Sequence, residues 1–196
     1  MVVKTTNRGE IMIEVIAGTN RPGSNCLKVA RVIEGLYKEL GVEVQILDLQ
    51  EMPLELFKPT AYAEKPEGWK RITDRVLNAN GLHVVVPEYN GSFPGVLKYF
   101  IDMLPFPQSF EHRCVAFTGE AAGIWGAFRA VEQLQMIFGY RNAYILPERV
   151  WMPGINARLS EDGTTIKEQG SMDMLRKQTK EFTAFVERNG NLAVKA

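Results

Sequence analysis

Metal-binding and redox side chains are scarce in this sequence, which holds two cysteines and two histidines in 196 residues. Cys26 and Cys114 lie too far apart for a metal-ligand or dithiol spacing, and His83 and His112 are too isolated to suggest a metal site or a catalytic triad. An excess of one charge is missing too. The 23 basic and 23 acidic residues cancel to a net charge of +0, which removes the electrostatic reason to expect nucleic acid or an anionic membrane as partner. No apolar run approaches the length that spans a bilayer. Met1 to Glu10 is polar and lacks the apolar core of a signal peptide, so a cytoplasmic location is expected.

What is present is an ordinary globular composition, 45% apolar and 23% charged. The length suits one domain over residues 1–196, with an ordered core from about 11 to about 188. Apolar runs alternate with amphipathic stretches. Ile11–Ala17, Glu43–Leu49, Leu82–Val86, Arg113–Phe117 and Ala143–Leu146 read as strands. Cys26–Leu40, Gly68–Asn80, Pro94–Leu104, Trp125–Phe138 and Ser171–Glu187 read as helices, with Gly41, Gly81 and Gly139 as stops. Met52–Pro66 and Trp151–Gly170 read as loops, and Asn189–Ala196 as a tail. Such alternation requires an α/β fold, a doubly wound five-stranded parallel sheet with helices on both faces. Glu14 is a misfit, a charge inside a strand expected to be buried on both sides.

Chemistry concentrates in the loops that follow these strands. Gly18-Thr19-Asn20-Arg21-Pro22-Gly23-Ser24-Asn25 leads into the first helix, where unpaired backbone N–H groups attract anions. Thr19, Ser24 and Asn25 can donate hydrogen bonds, and Arg21 adds a charged planar fork. The loop has neither a Gly-Lys-Ser/Thr ending nor a three-glycine fingerprint, so a terminal monophosphate fits better than a pyrophosphate. A plainer reading is a helix cap at Ser24 or Asn25 with Arg21 solvated. Cys26 falls near that helix N-terminus, where a thiolate is favoured; its plainer reading is a small helix residue. Pro87-Glu88-Tyr89-Asn90-Gly91 offers a carboxylate, a phenol, an amide and a glycine in succession, although Asn90-Gly91 alone reads as a turn. In the flavodoxin-like strand order 2-1-3-4-5, strands one and three are neighbours at the switch point, and both loops face one crevice. A third loop, from Thr118 to Gly126, has small residues that let a planar ring lie against backbone, or that serve only as a flexible turn.

On these residues the chain resembles the NAD(P)H-dependent FMN reductase family of flavodoxin-like flavoproteins, which also includes quinone, azo-dye and chromate reductases. The family's first loop, Gly-Ser/Thr-x-Arg-x-x-Ser, is matched by Gly18, Thr19, Arg21 and Ser24. Its second, Pro-Glu-Tyr-Asn-Gly-Ser-x-Pro-Gly-x-Leu-Lys-Asn-x-Ile-Asp-Trp, is matched at Pro87, Glu88, Tyr89, Asn90, Gly91, Ser92, Pro94, Gly95, Leu97, Lys98, Ile101 and Asp102. Tyr99 and Met103 replace the Asn and Trp of that pattern. Gly126 and Ala127 stand where two glycines are common, and Cys26 where members often carry Asn or Thr. The likeness runs from the first strand to the fourth helix and fades after Trp151.

The resemblance implies bound FMN, with Thr19, Arg21, Ser24 and Asn25 around the phosphate and Cys26 beside them. Pro87 to Gly91 would support the isoalloxazine ring, helped by Thr118 and Gly119. It further implies hydride transfer from NAD(P)H through FMN to a second acceptor such as a quinone, free flavin, azo compound or metal oxyanion. No catalytic side chain is then needed, because the flavin carries the chemistry. A homodimer or homotetramer is implied as well, and Tyr99, Phe100, Met103 and Leu104 are expected to be partly exposed for it. The alternatives are an electron-transfer flavodoxin-like carrier and a non-enzymatic flavin-binding sensor. Carriers usually present a strongly acidic face, which this neutral chain lacks.

Overall fold

The computed structural model of the protein describes residues 11–190. The readings of Met1–Glu10 and of the tail beyond 190 lie outside the described residues. Strands β1 (Met12–Ala17), β2 (Glu43–Asp48), β3 (Gly81–Pro87), β4 (Cys114–Glu120), β5 (Tyr144–Ile145) and β6 (Val150–Met152) form one parallel sheet. Its order is β2-β1-β3-β4-β5, with β6 also paired to β4. The helices are α1 (Asn25–Glu39), α2 (Trp69–Asn78), α3 (Gly95–Met103), α4 (Phe128–Tyr140), α5 (Ile155–Arg158) and α6 (Gln169–Asn189). Among the described residues no helix is long and apolar enough to cross a membrane.

β3 and β4 are buried along their whole length, as unbroken apolar strands covered on both faces must be. The pleat sorts their side chains. Ile13, Val15, Val85 and Ala116 meet α1 and α6, while Ile16, Leu82, Val84 and Phe117 meet α2, α3 and α4. The expected strand order is therefore found, but its far edge is split in two. β5 pairs with the first residues of β4 and β6 with its last. Pro147, between them, has no N–H to give a ladder. Gln178 of α6 fills that gap, its Nε2 donating to the Phe117 carbonyl at 2.8 Å and to the Glu148 carbonyl at 3.0 Å.

Other expectations shift for local reasons. Gly139 does not stop α4; it lies inside the helix, exposed. The stop is Asn142, left-handed at φ 61, whose N–H bonds to the Gly139 carbonyl while that of Ala143 bonds to Phe138. Gly81 is likewise not a stop but the first residue of β3. The helix read from Trp125 begins at Phe128, because Gly126 and Ala127 are both left-handed, at φ 57 and 66. The loop read from Trp151 to Gly170 contains α5 and most of β6. Phe100, Met103 and Leu104 are buried, which corrects their expected exposure. Tyr99, half-buried, stacks on Phe57 at 4.8 Å and donates its hydroxyl to the Leu56 carbonyl at 2.6 Å. The segment read as irregular loop thus covers this face of α3.

Two buried polar arrangements tie the layers together. Glu14 projects to the α2 side, where Arg75 meets it with Nη2–Oε1 at 2.5 Å and Nε–Oε2 at 3.3 Å. On the other face, Gln178 Oε1 can only accept, so Thr118 donates its single hydroxyl proton there, at 2.7 Å. His83 Nε2 must then donate to Thr118 at 2.8 Å, and bare Nδ1 accepts from the Tyr37 hydroxyl at 2.7 Å. Burial holds this imidazole neutral, its pKa lowered to about 3.

Candidate active site

The β1–α1 and β3–α3 loops lie side by side at the carboxyl end of the sheet, where β1 and β3 are neighbours. In the first loop, Ser24 caps α1 by accepting from the Leu27 N–H at 3.2 Å, so the capping role is real. Asn25 donates to the Asn156 side chain of α5 at 2.7 Å. Arg21 is exposed, and its guanidinium has no partner among the described residues. The first turn of α1 carries no acidic residue to answer its unpaired N–H groups.

Tyr89-Asn90-Gly91-Ser92 closes on itself. Asn90 and Gly91 are left-handed at φ 53 and 76, and Tyr89 and Ser92 exchange backbone hydrogen bonds at 2.8 and 3.1 Å. That is the type I′ turn for which Asn-Gly is suited. The turn carries Tyr89 towards the first loop, where its hydroxyl meets Thr19 Oγ1 at 3.0 Å. Thr19 Oγ1 also accepts from the Arg21 N–H at 3.3 Å. Glu88 turns the other way and takes the Ala127 N–H at 3.0 Å, holding this alanine in a conformation that favours glycine.

The third loop forms the remaining wall. A cleft of about 590 Å³ is lined by Arg21 to Asn25, Pro87 to Asn90, Glu120, Ala121, Ala122 and Asn156. Arg21, Ser24, Asn25, Pro87, Glu88, Tyr89 and Asn90 thus come together, as sequence predicts. Thr19 is buried and reaches the site through Tyr89. Gly91 forms the turn but does not line the cleft.

Cys26, Thr118 and Gly119 are placed elsewhere. Cys26 is wholly buried and donates its S–H to the Val85 carbonyl at 3.3 Å. Burial pushes its thiol well above the usual range, which excludes the thiolate and leaves the plainer reading of a small helix residue. The Thr118 side chain belongs to the His83 chain beneath the cleft. Gly119 faces α4, where an added Cβ would lie 2.6 Å from the Gly126 carbonyl and 3.0 Å from Ala127 Cβ. Its lack of a side chain therefore lets the head of α4 approach β4.

Two lining side chains with polar ends, Asn156 and Glu120, are not singled out by the sequence. Asn156 sits on α5, within a segment whose pattern reads as loop. Glu120 ends β4, and its one sequence signal is a carboxylate closing an otherwise apolar run. It is 5% exposed and has no side-chain partner among the described residues. Burial pushes its carboxyl up to about 7. One wall of the cleft thus presents anion-seeking donors, another an acid poised near neutrality, and small residues leave room for a flat group between them.

A family model described as NADPH-dependent FMN reductase matches residues 11–157. A quinone reductase of Escherichia coli is 27% identical over 187 residues, 91% of this chain and 97% of that protein. An FMN reductase (NADPH) of Pseudomonas aeruginosa is 27% identical over 141 residues, 71% of this chain and 75% of that one. Among solved structures, the flavoenzyme NAD(P)H:(acceptor) oxidoreductase FerB of Paracoccus denitrificans shares the fold. Its TM-score is 0.75 at 24% identity, over 91% of this chain and 98% of its own.

Proposed function

Because the chain belongs to the NADPH-dependent FMN reductase family, we propose that it is an oxidoreductase in which hydride from NAD(P)H passes by way of FMN to a small-molecule acceptor. A quinone, free flavin, azo compound or metal oxyanion would serve. The observation that carries this reading is the cleft itself, which joins an unpaired guanidinium and a helix N-terminus to a slot walled by small residues. The donor set suits a phosphate monoester, since Arg21 offers a fork, Asn25 an amide and α1 its first-turn N–H groups. When bound, FMN supplies the hydride-accepting and hydride-donating chemistry.

The chain's own part is to bind and orient. Arg21 and the head of α1 hold the phosphate by charge and dipole. The Tyr89–Thr19 contact keeps the phosphate and ring loops in fixed relation, and the Glu88–Ala127 bond fixes the exit of the third loop. Ala121 is pinned to β6 and α5 through the Met152 carbonyl and the Ile155 N–H, so the far wall is rigid. Neutral alanines there present no side chain that competes with a flat ring.

An absorption spectrum followed by anaerobic addition of NADPH tests the reading. Yellow protein that bleaches, then recovers colour on addition of a quinone, is expected. Protein that takes up no FMN overturns the proposal, and bound FMN that neither NADPH nor NADH bleaches favours the electron carrier. A homodimer or homotetramer is part of the proposal. Its support is the exposed stripe of Phe128, Met136 and Tyr140 on α4, with Ile124 and Trp125 at its head. Sedimentation as a 22.1 kDa monomer with flavin bound would contradict it.

A further inference from the structure

Glu120 plays no part in the binding scheme above, yet its placement is specific. It ends β4 on the same pleat face as Ala116 and Thr118, so its side chain projects to the α1 side of the sheet. That is the side on which Cys26, in the first turn of α1, is buried. Glu120 borders the cleft lined by Arg21 to Asn25. Although 95% of it is covered, no cation or donor among the described residues meets its carboxylate. Glu88, the other carboxylate of the cleft, is already engaged with the Ala127 N–H.

A phosphate seated at the head of α1 therefore finds a buried acid nearby. Two anions in one cleft repel, and the weaker acid resolves the conflict by taking a proton. A neutral carboxyl can then donate its O–H, which an ionised one cannot. Resting on the reading of the cleft as an FMN site, we infer that Glu120 is a proton-linked ligand residue: FMN enters with uptake of one proton, and the protonated carboxyl donates a hydrogen bond to the phosphate end of the cofactor.

The surrounding groups leave this role to Glu120. Cys26, from α1, is held as a thiol by burial. His83, below it on β3, is held neutral. Glu88 and Tyr89 come from the β3–α3 loop, Arg21 from the β1–α1 loop, and Asn156, from α5, is a neutral amide. Burial already lifts the Glu120 carboxyl to about 7, so the proton is taken up in the neutral range.

The test is the FMN dissociation constant of the apo protein and of Glu120→Gln between pH 6 and 8.5, with proton uptake measured calorimetrically in buffers of different ionisation enthalpy. Wild-type affinity should fall about tenfold from pH 7 to 8.5, while Glu120→Gln, which donates at any pH, stays within about threefold. Wild type should take up close to one proton per FMN at pH 8. Parallel pH profiles of the two proteins, or no proton uptake by the wild type, overturn the inference while leaving FMN binding intact. No FMN binding at any pH overturns it together with the reading it rests on. Should Glu120→Gln not fold, proton uptake by the wild type decides alone.

Discussion

Glu14 and Glu120 are two carboxyls buried in one sheet, and burial pushes both up to about 7. Their surroundings differ completely. Glu14 is met by two guanidinium nitrogens of Arg75, which also binds the Ile46 carbonyl and reaches Glu51. Among the described residues, Glu120 has nothing opposite it but the cleft. A buried charge normally has a protein partner, because desolvation without one costs several kcal/mol. Glu14 is thus part of how the protein stands up, and Glu120 part of what it binds. The chain from Tyr37 through His83 and Thr118 to Gln178 belongs with Glu14, because every donor and acceptor in it is answered internally.

The largest expected effect lies on the paired side. Arg75→Met leaves Glu14 buried without its partner, which should cost about 3–5 kcal/mol in urea unfolding at pH 8. A raised carboxyl pKa gives stability that is full at low pH and lost as pH rises through about 7. The deficit of the variant should therefore shrink at pH 5, where Glu14 is neutral, and a deficit independent of pH would deny Glu14 its charge. Next comes Thr118→Val, which strands His83 Nε2–H and Gln178 Oε1 and should cost about 3 kcal/mol. FMN affinity should barely change; stability kept with flavin lost would move Thr118 into the cleft.

On the open side the effects are on binding. Arg21→Ala removes an exposed charge, so unfolding should be unaltered while FMN binding weakens ten- to a hundredfold, the equivalent of about 1.5–3 kcal/mol for a charge-assisted hydrogen bond. The smallest effect is expected for Tyr89→Phe, which breaks only the contact with Thr19. A loss of about threefold to tenfold in FMN affinity follows from one neutral hydrogen bond of about 1 kcal/mol. A larger loss would mean that the hydroxyl touches the flavin.

The division between these regions is only half legible in the sequence. Strand order and the two principal loops could be read because long apolar strands and turn residues such as Asn90-Gly91 act locally. Glu14 reads as a misfit because its partner lies far along the chain, on α2. Glu120 is passed over for the same reason in reverse, since its lack of a partner is a property of the fold. β6 spans only Val150–Met152 and α5 only Ile155–Arg158, too short to show a period, so Asn156 is lost with them. Thr118 and Gly119 sit in a suggestive loop, but the pleat sends one side chain to α6 and brings the other backbone against α4.

The central claim is that the unanswered polar groups at the carboxyl end of the sheet are there for the phosphate of a flavin. Fluorescence titration of the apo protein with FMN and with riboflavin, which lacks the phosphate, tests it most directly. Binding of FMN at least about a hundredfold tighter, with the preference falling about ten- to a hundredfold in Arg21→Ala, is the expected result. Equal affinity for the two flavins would contradict the account.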